Sequence, residues 1–175
     1  MTSNTQPQAP HGGGTMLPAF ASFSDKIRDD LDALRPGQQH AMIAVITADV
    51  DADTEARAAQ SVASALAELP AKAMAGQLAS NKLGIWLPRA TRDEALTYAR
   101  LLRAAISRAA YRVESASVLA PLDINGERSC AVGVVFANQS NWSAQTLITT
   151  AEITAALAMN ANSGSIKIAD QLKRS

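Results

Sequence analysis

The sequence predicts an α/β fold of the α+β sandwich kind, with a central mixed sheet flanked by helices. Three observations predict it. Two short, continuous apolar runs, AMIAVITA at 41–48 and CAVGVVFA at 130–137, have the character of strands buried on both faces. Segments with apolar residues at helical spacing are interleaved with the strands, which is the mark of helices packed on a sheet. Asn125-Gly126 lies between two strand-like stretches, about 111–120 and 127–137, and both residues accept the positive φ of a tight hairpin.

The elements follow in order. Residues 1–14, MTSNTQPQAPHGGG, are polar and rich in Gly and Pro. They bury too little apolar surface to offset their ordering entropy, so a disordered tail carrying His11 is expected. Phe20, Phe23, Ile27, Leu31 and Leu34 recur at helical spacing, and Pro36-Gly37 stops that helix. The strand 41–48 comes next, with His40 before it at a turn expected to be exposed. An acidic stretch from Asp49 to Glu55 leads to an alanine-rich helix over about 55–69, ending at Pro70. QLASNKLGIWLP, 77–88, has the pattern of a strand end, a polar tip and an apolar strand. Thr91 and Glu94 fit a capping box that opens a helix burying Ala95, Ala99, Leu102 and Ile106. After the hairpin, Ser143 caps a helix over 144–161 with Leu147, Ala151, Ala155 and Ala158 inward. Gly164 ends it, and 165–168 form a short last strand. One domain spans 15–169, with a short tail at 170–175.

Composition narrows function. Sixteen basic and sixteen acidic residues leave a formal net charge of zero, so bulk electrostatics favours neither nucleic acid nor a membrane surface. Aromatic residues make up 4% of the chain, too few for a base-stacking surface. No apolar stretch approaches the roughly 20 residues that span a bilayer, and the start lacks the basic and apolar regions of a secretory signal. A cytoplasmic protein is expected. The single cysteine, Cys130, forms no internal disulfide and is expected to be buried and inert. One cysteine and two histidines do not make a structural zinc site.

Several landmarks together resemble the GGDEF domain of diguanylate cyclases, a nucleotidyl-cyclase-like fold with a ferredoxin-like core. VITADVD, 45–51, is similar to that family's first strand with its D-[IL]-D end. QLASNKLGIWLP resembles R-Y-G-G-D-E-F-x-[IVL]-[IL]-L-P, which places Ala79, Ser80, Asn81, Lys82 and Leu83 at the five signature positions. CAVGVVFA is similar to T-[VI]-S-[IVL]-G-[VI]-A and keeps Gly133. LITTAEITAALAMNANSGSIKI resembles the late family motif and keeps Ala151, an acid at Glu152, Ala156, Leu157 and Gly164. The resemblance covers about 15–169.

The resemblance implies a reaction that joins two GTP molecules into cyclic di-GMP on divalent metals, and the residues at the implied positions do not suit it. The signature glycines are Ala79 and Ser80, each adding a Cβ where the nucleotide comes close. The signature acids are Asn81 and Lys82. An ammonium 4 Å from a unit positive charge costs about 4 kcal/mol at an effective dielectric of 20, and a divalent ion doubles that. Asp49 and Asp51 remain as vestigial metal-strand acids. With Asp53 they also imitate the start of a calcium loop, but Thr54 and Gln60 stand where Gly and Glu are needed. A solvated acidic loop is expected, with one carboxylate pairing to Lys82. The family's nucleotide segment after the first strand is shortened. Its late phosphate-binding cations correspond to Ala161 and Ser165, and its product-site Arg and Asp to Pro70 and Ala73.

No metal, no cofactor and no catalytic activity are therefore expected. A protein that acts by binding another protein is the leading expectation: a signalling enzyme, a pilus or exopolysaccharide-export component, or a second copy of itself. Trp142, in a polar stretch, is the candidate interaction anchor, whereas Trp86, in a strand, is expected in the core. The alternative is a nucleotide-sensing module that takes GTP or cyclic di-GMP in a non-standard way, through Ser80 and Lys82. Before the first strand there is room only for the tail and one helix, not for a sensor domain, so regulation is expected to come from a separate chain.

Overall fold

A computed structural model describes residues 17–18, 20–47, 67, 69–79, 81–116, 130–138, 142–161 and 166–169, with the side chains of 106–116 and 161 left out. The elements are α1 (Phe20–Asp32), β1 (His40–Thr47), β2 (Met74–Ala79), β3 (Lys82–Leu87), α2 (Arg92–Ala116), β4 (Cys130–Ala137), α3 (Ala144–Ala161) and β5 (Ile166–Ala169). The strands form one mixed sheet in the order β2-β3-β1-β4-β5. All its ladders are antiparallel except the β4–β5 pair at the edge. The α+β sandwich expected from the sequence is the fold observed.

The two apolar runs are the two inner strands. Every residue of β4 is buried, as are the first six of β1. Alternate residues serve opposite layers. Ile43, Val45, Ile85, Leu87, Val132 and Val134 pack toward α2 through Ala95, Ala99 and Leu102. Met42, Ala44, Trp86 and Val135 pack toward α1 and α3 through Phe23, Ile27, Leu147, Ile148, Ala151 and Ala155. A row of very small residues crosses the sheet on this second face. Gly76 stands opposite Gly84, Gly84 opposite Ala44, and Ala44 opposite Gly133. The Phe23 side chain lies over Gly76 and Gly84, and the α3 backbone at Ala151 and Ala155 lies over Gly133.

Local signals act as expected at three helix ends. Pro36 and Gly37 turn the chain after α1, with Gly37 at φ 82 and the Gln38 N–H donating to the Arg35 carbonyl at 3.0 Å. At α2, the Thr91 N–H donates to the Glu94 carboxylate at 2.7 Å, and the Glu94 N–H donates to the Thr91 hydroxyl at 3.2 Å. At α3, the Thr146 N–H donates to the Ser143 hydroxyl at 3.0 Å.

Three expectations need correction. The strand expected over 111–120 is instead helical as far as Ala116, the end of the 25-residue α2. Its alternating pattern, YRVESA, carries no Gly or Pro to stop a helix already running from Arg92. Phe20 fits the periodicity of α1 yet is 40% exposed, because Phe23, Ile27 and Leu31 alone reach the sheet. His40 is not on the surface; it opens β1 and is buried. The Asn125-Gly126 turn, the acidic loop, most of the helix over 55–69, Gly164 and both tails lie outside the described residues.

Candidate functional site

The five signature positions lie at the β2–β3 hairpin. Gln77 pairs with Leu83 and Ala79 with Lys82, with a register shift between Gln77 and Ala79. Ala79 is exposed and Leu83 packs partly into the α2-side core; Ser80 lies outside the described residues. Asn81 fastens the hairpin to the end of β1. The Thr47 N–H donates to the Asn81 carbonyl at 3.0 Å, and the Asn81 carboxamide donates back to the Thr47 carbonyl at 3.3 Å. Asp49 and Asp51 follow Thr47 in the chain but lie outside the described residues.

Lys82 is the charged group of this site. Its ammonium is 3.1 Å from the Glu152 carboxylate of α3, with both side chains partly buried. A carboxylate that meets Lys82 thus comes from α3, across the sheet face, while the acidic loop expected to supply one lies outside the described residues. Glu152 is the sole charged residue in the sequence of α3, so the pair joins the hairpin to an otherwise neutral helix. Trp142 is half-buried and packs against the α1/α3-side core just before α3 begins.

One polar network was not legible beforehand. The Arg89 N–H donates to His40 Nδ1 at 2.8 Å, which leaves the proton of a neutral ring on Nε2, 3.2 Å from the Asp30 carbonyl. Trp86 is fully buried, and its Nε1–H donates to the Asp30 carboxylate at 2.7 Å. Lys26 pairs with the same carboxylate. Burial holds the His40 pKa below its usual 6.5, against the pull of the Asp30 carbonyl and carboxylate. The only forewarning was a histidine bordering an apolar run. Cys130 is buried, and burial pushes its thiol up to about 12, so it is no nucleophile.

Among the described residues, no three His, Cys, Asp or Glu side chains gather to hold a metal, and no helix is long and apolar enough to cross a membrane.

Neither a protein-family model nor a curated protein matches the chain. Solved structures do. An N-terminally truncated TpbB (YfiN) from Pseudomonas aeruginosa comprising only the GGDEF domain matches with a TM-score of 0.65 at 19% identity, covering 91% of this chain and 94% of that one. The diguanylate cyclase SiaD from the same organism, solved with its activator SiaC, matches with a TM-score of 0.64 at 16% identity, covering 90% of this chain and 60% of SiaD. The GGDEF domain of DgcB from Caulobacter crescentus, in complex with c-di-GMP, matches with a TM-score of 0.58 at 14% identity, covering 94% and 98%. The chain has the fold of these GGDEF domains.

Proposed function

We propose that this chain is a non-catalytic GGDEF-like protein that acts in the cytoplasm by contact with another protein, within cyclic di-GMP-linked signalling. The observation that carries the reading is the Lys82–Glu152 ion pair at 3.1 Å. An ammonium is anchored at a position where the resemblance implies a metal-binding acid. A divalent ion brought beside it meets repulsion of about 8 kcal/mol at 4 Å and an effective dielectric of 20. Asn81, the other position of that acidic pair, has its amide spent on β1. Ala79 supplies a Cβ where the resemblance implies glycine. The fold supports the signalling context, since it is shared with diguanylate cyclases. SiaD, solved with its activator, is a neighbour of this fold in contact with a separate protein. Trp142 is the proposed anchor of such a contact here, half-buried at the start of α3.

Incubation with GTP and magnesium, followed by chromatography, tests the first half of this reading. No cyclic di-GMP is expected, and no saturable shift of the amide signals of Asn81, Lys82 and Glu152. Product formation, or saturation at those amides, would overturn it. A photo-crosslinking residue in place of Trp142, used in the native cell, tests the second half. A protein adduct lost on competition with excess unmodified chain is expected, and no adduct at this position counts against the anchor.

A further inference from the structure

The sheet has a second polar end, remote from the signature hairpin. β1 runs from His40 to Thr47, about 23 Å at the usual rise per residue. The hairpin meets its Thr47 end. At the other end, the residues just before β1, just after β3 and just after β4 surround a cavity of about 590 Å³, lined by Gly37, Gln38, Gln39, Arg89, Ala90, Thr91, Arg92 and Asn138. That volume suits a small organic molecule.

The lining has one sign of charge. It contains two guanidinium groups, three carboxamides and no carboxylate. Neither Arg89 nor Arg92 makes an ion pair with a described residue. Arg92 is held instead over the Phe136 ring, 5.6 Å from its centre, which restrains the guanidinium without neutralising it. The Gln38 side-chain oxygen, Oε1, accepts the Arg35 N–H at 3.3 Å, so its NH2 group is the part left to donate. Gln39 is fixed by donating to the Ala90 carbonyl at 3.2 Å. At the start of α2, Thr91 and Glu94 are bonded to each other, the Thr91 N–H to the Glu94 carboxylate and the Glu94 N–H to the Thr91 hydroxyl.

We propose that this cavity binds a small molecule through a phosphate group held between Arg89 and Arg92. A dianionic phosphate neutralises both guanidiniums and accepts their paired N–H donors, which a single carboxylate does not do. The remaining volume takes the rest of the ligand against the carboxamides of Gln38, Gln39 and Asn138.

Amide NMR of the whole chain, titrated with inorganic pyrophosphate at constant ionic strength, tests this. Sodium acetate and sodium chloride serve as parallel arms. Saturable shifts at Gln38, Gln39, Arg89, Arg92 and Asn138 are expected with pyrophosphate alone. The double variant R89Q/R92Q is expected to weaken binding about tenfold or more, leaving the core amides of β1 and β4 in place. Both arginines are exposed, so the folded state does not depend on them, and R89Q and R92Q singly provide the check. A linear drift equal to that of chloride, saturation elsewhere, equal binding of acetate, or undiminished binding by the double variant would each overturn the proposal. The readout lies at the end of the sheet opposite Asn81, Lys82 and Glu152, so its failure is distinguishable from failure of the proposed function.

Discussion

Among the described glycines, Gly133 leaves the least room for a side chain. A Cβ there would stand 2.3 Å from the Ala151 carbonyl and 2.4 Å from the Ala155 nitrogen. Both are backbone atoms of α3, which cannot swing aside as a side chain can. Gly133→Ala is therefore expected to cost at least about 1–3 kcal/mol, read as a lower urea midpoint at unchanged slope. An unchanged midpoint would mean that α3 rides further from the sheet. His40 makes the stability of the fold sensitive to pH. Its folded-state pKa lies below the ordinary 6.5, so the unfolded chain binds the proton more readily. The contribution is intact above 6.5 and is lost as pH falls through the lower folded-state value. Protonation also sets a new N–H against the Arg89 N–H. Urea melts at about pH 7.5 and about pH 5 are expected to show a loss that His40→Asn reduces, since asparagine does not titrate in this range. An equal loss in both proteins would assign it to other groups.

Elements are joined by two different kinds of contact. α1 is held by shape, beside the hydrogen bonds that Asp30 makes with His40 and Trp86. The Phe23 side chain is fully buried and fills the hollow left by Gly76 and Gly84, where a Cβ at either glycine would come within 3.0 Å of it. Phe23→Ala is expected to destabilise by about 3–5 kcal/mol, with hydrogen exchange fastest in α1 and β2. Uniform acceleration across the sheet would show that α1 does not open separately. The signature hairpin is joined to α3 by charge. The Lys82–Glu152 pair keeps 35% and 24% of its side-chain surface exposed, so solvent screens it. Lys82→Ala is expected to change stability by less than about 1 kcal/mol. Lys82→Glu, which sets two carboxylates face to face, is expected to lose more, and to recover part of it in high salt. A large loss on Lys82→Ala would make this pair a structural keystone instead.

For the whole molecule, the two ends of one sheet carry different chemistry. At the hairpin end, a cation and an amide are consumed by contacts within the fold; at the opposite end, two guanidiniums line an open cavity. The apolar runs 41–48 and 130–137, the helices of α1 and α3, and the caps at Thr91 and Ser143 were legible in the sequence. Each depends on local periodicity or on side chains within a few residues of one another. The helical course of 111–116 was not, because an alternating pattern and a helix without a breaker compete there. The partner of Lys82, the burial of His40 and the joining of Gln38, Arg89, Arg92 and Asn138 around one cavity were not legible either. These residues are far apart in the chain, and only strand order and register bring them together. The sequence by itself determined the inner strands, most of the helices and the residue types at the signature positions. Tertiary structure decided which charges are spent and which stay free, because pairing is a matter of distance in space, and distance is set by the packing of the sheet.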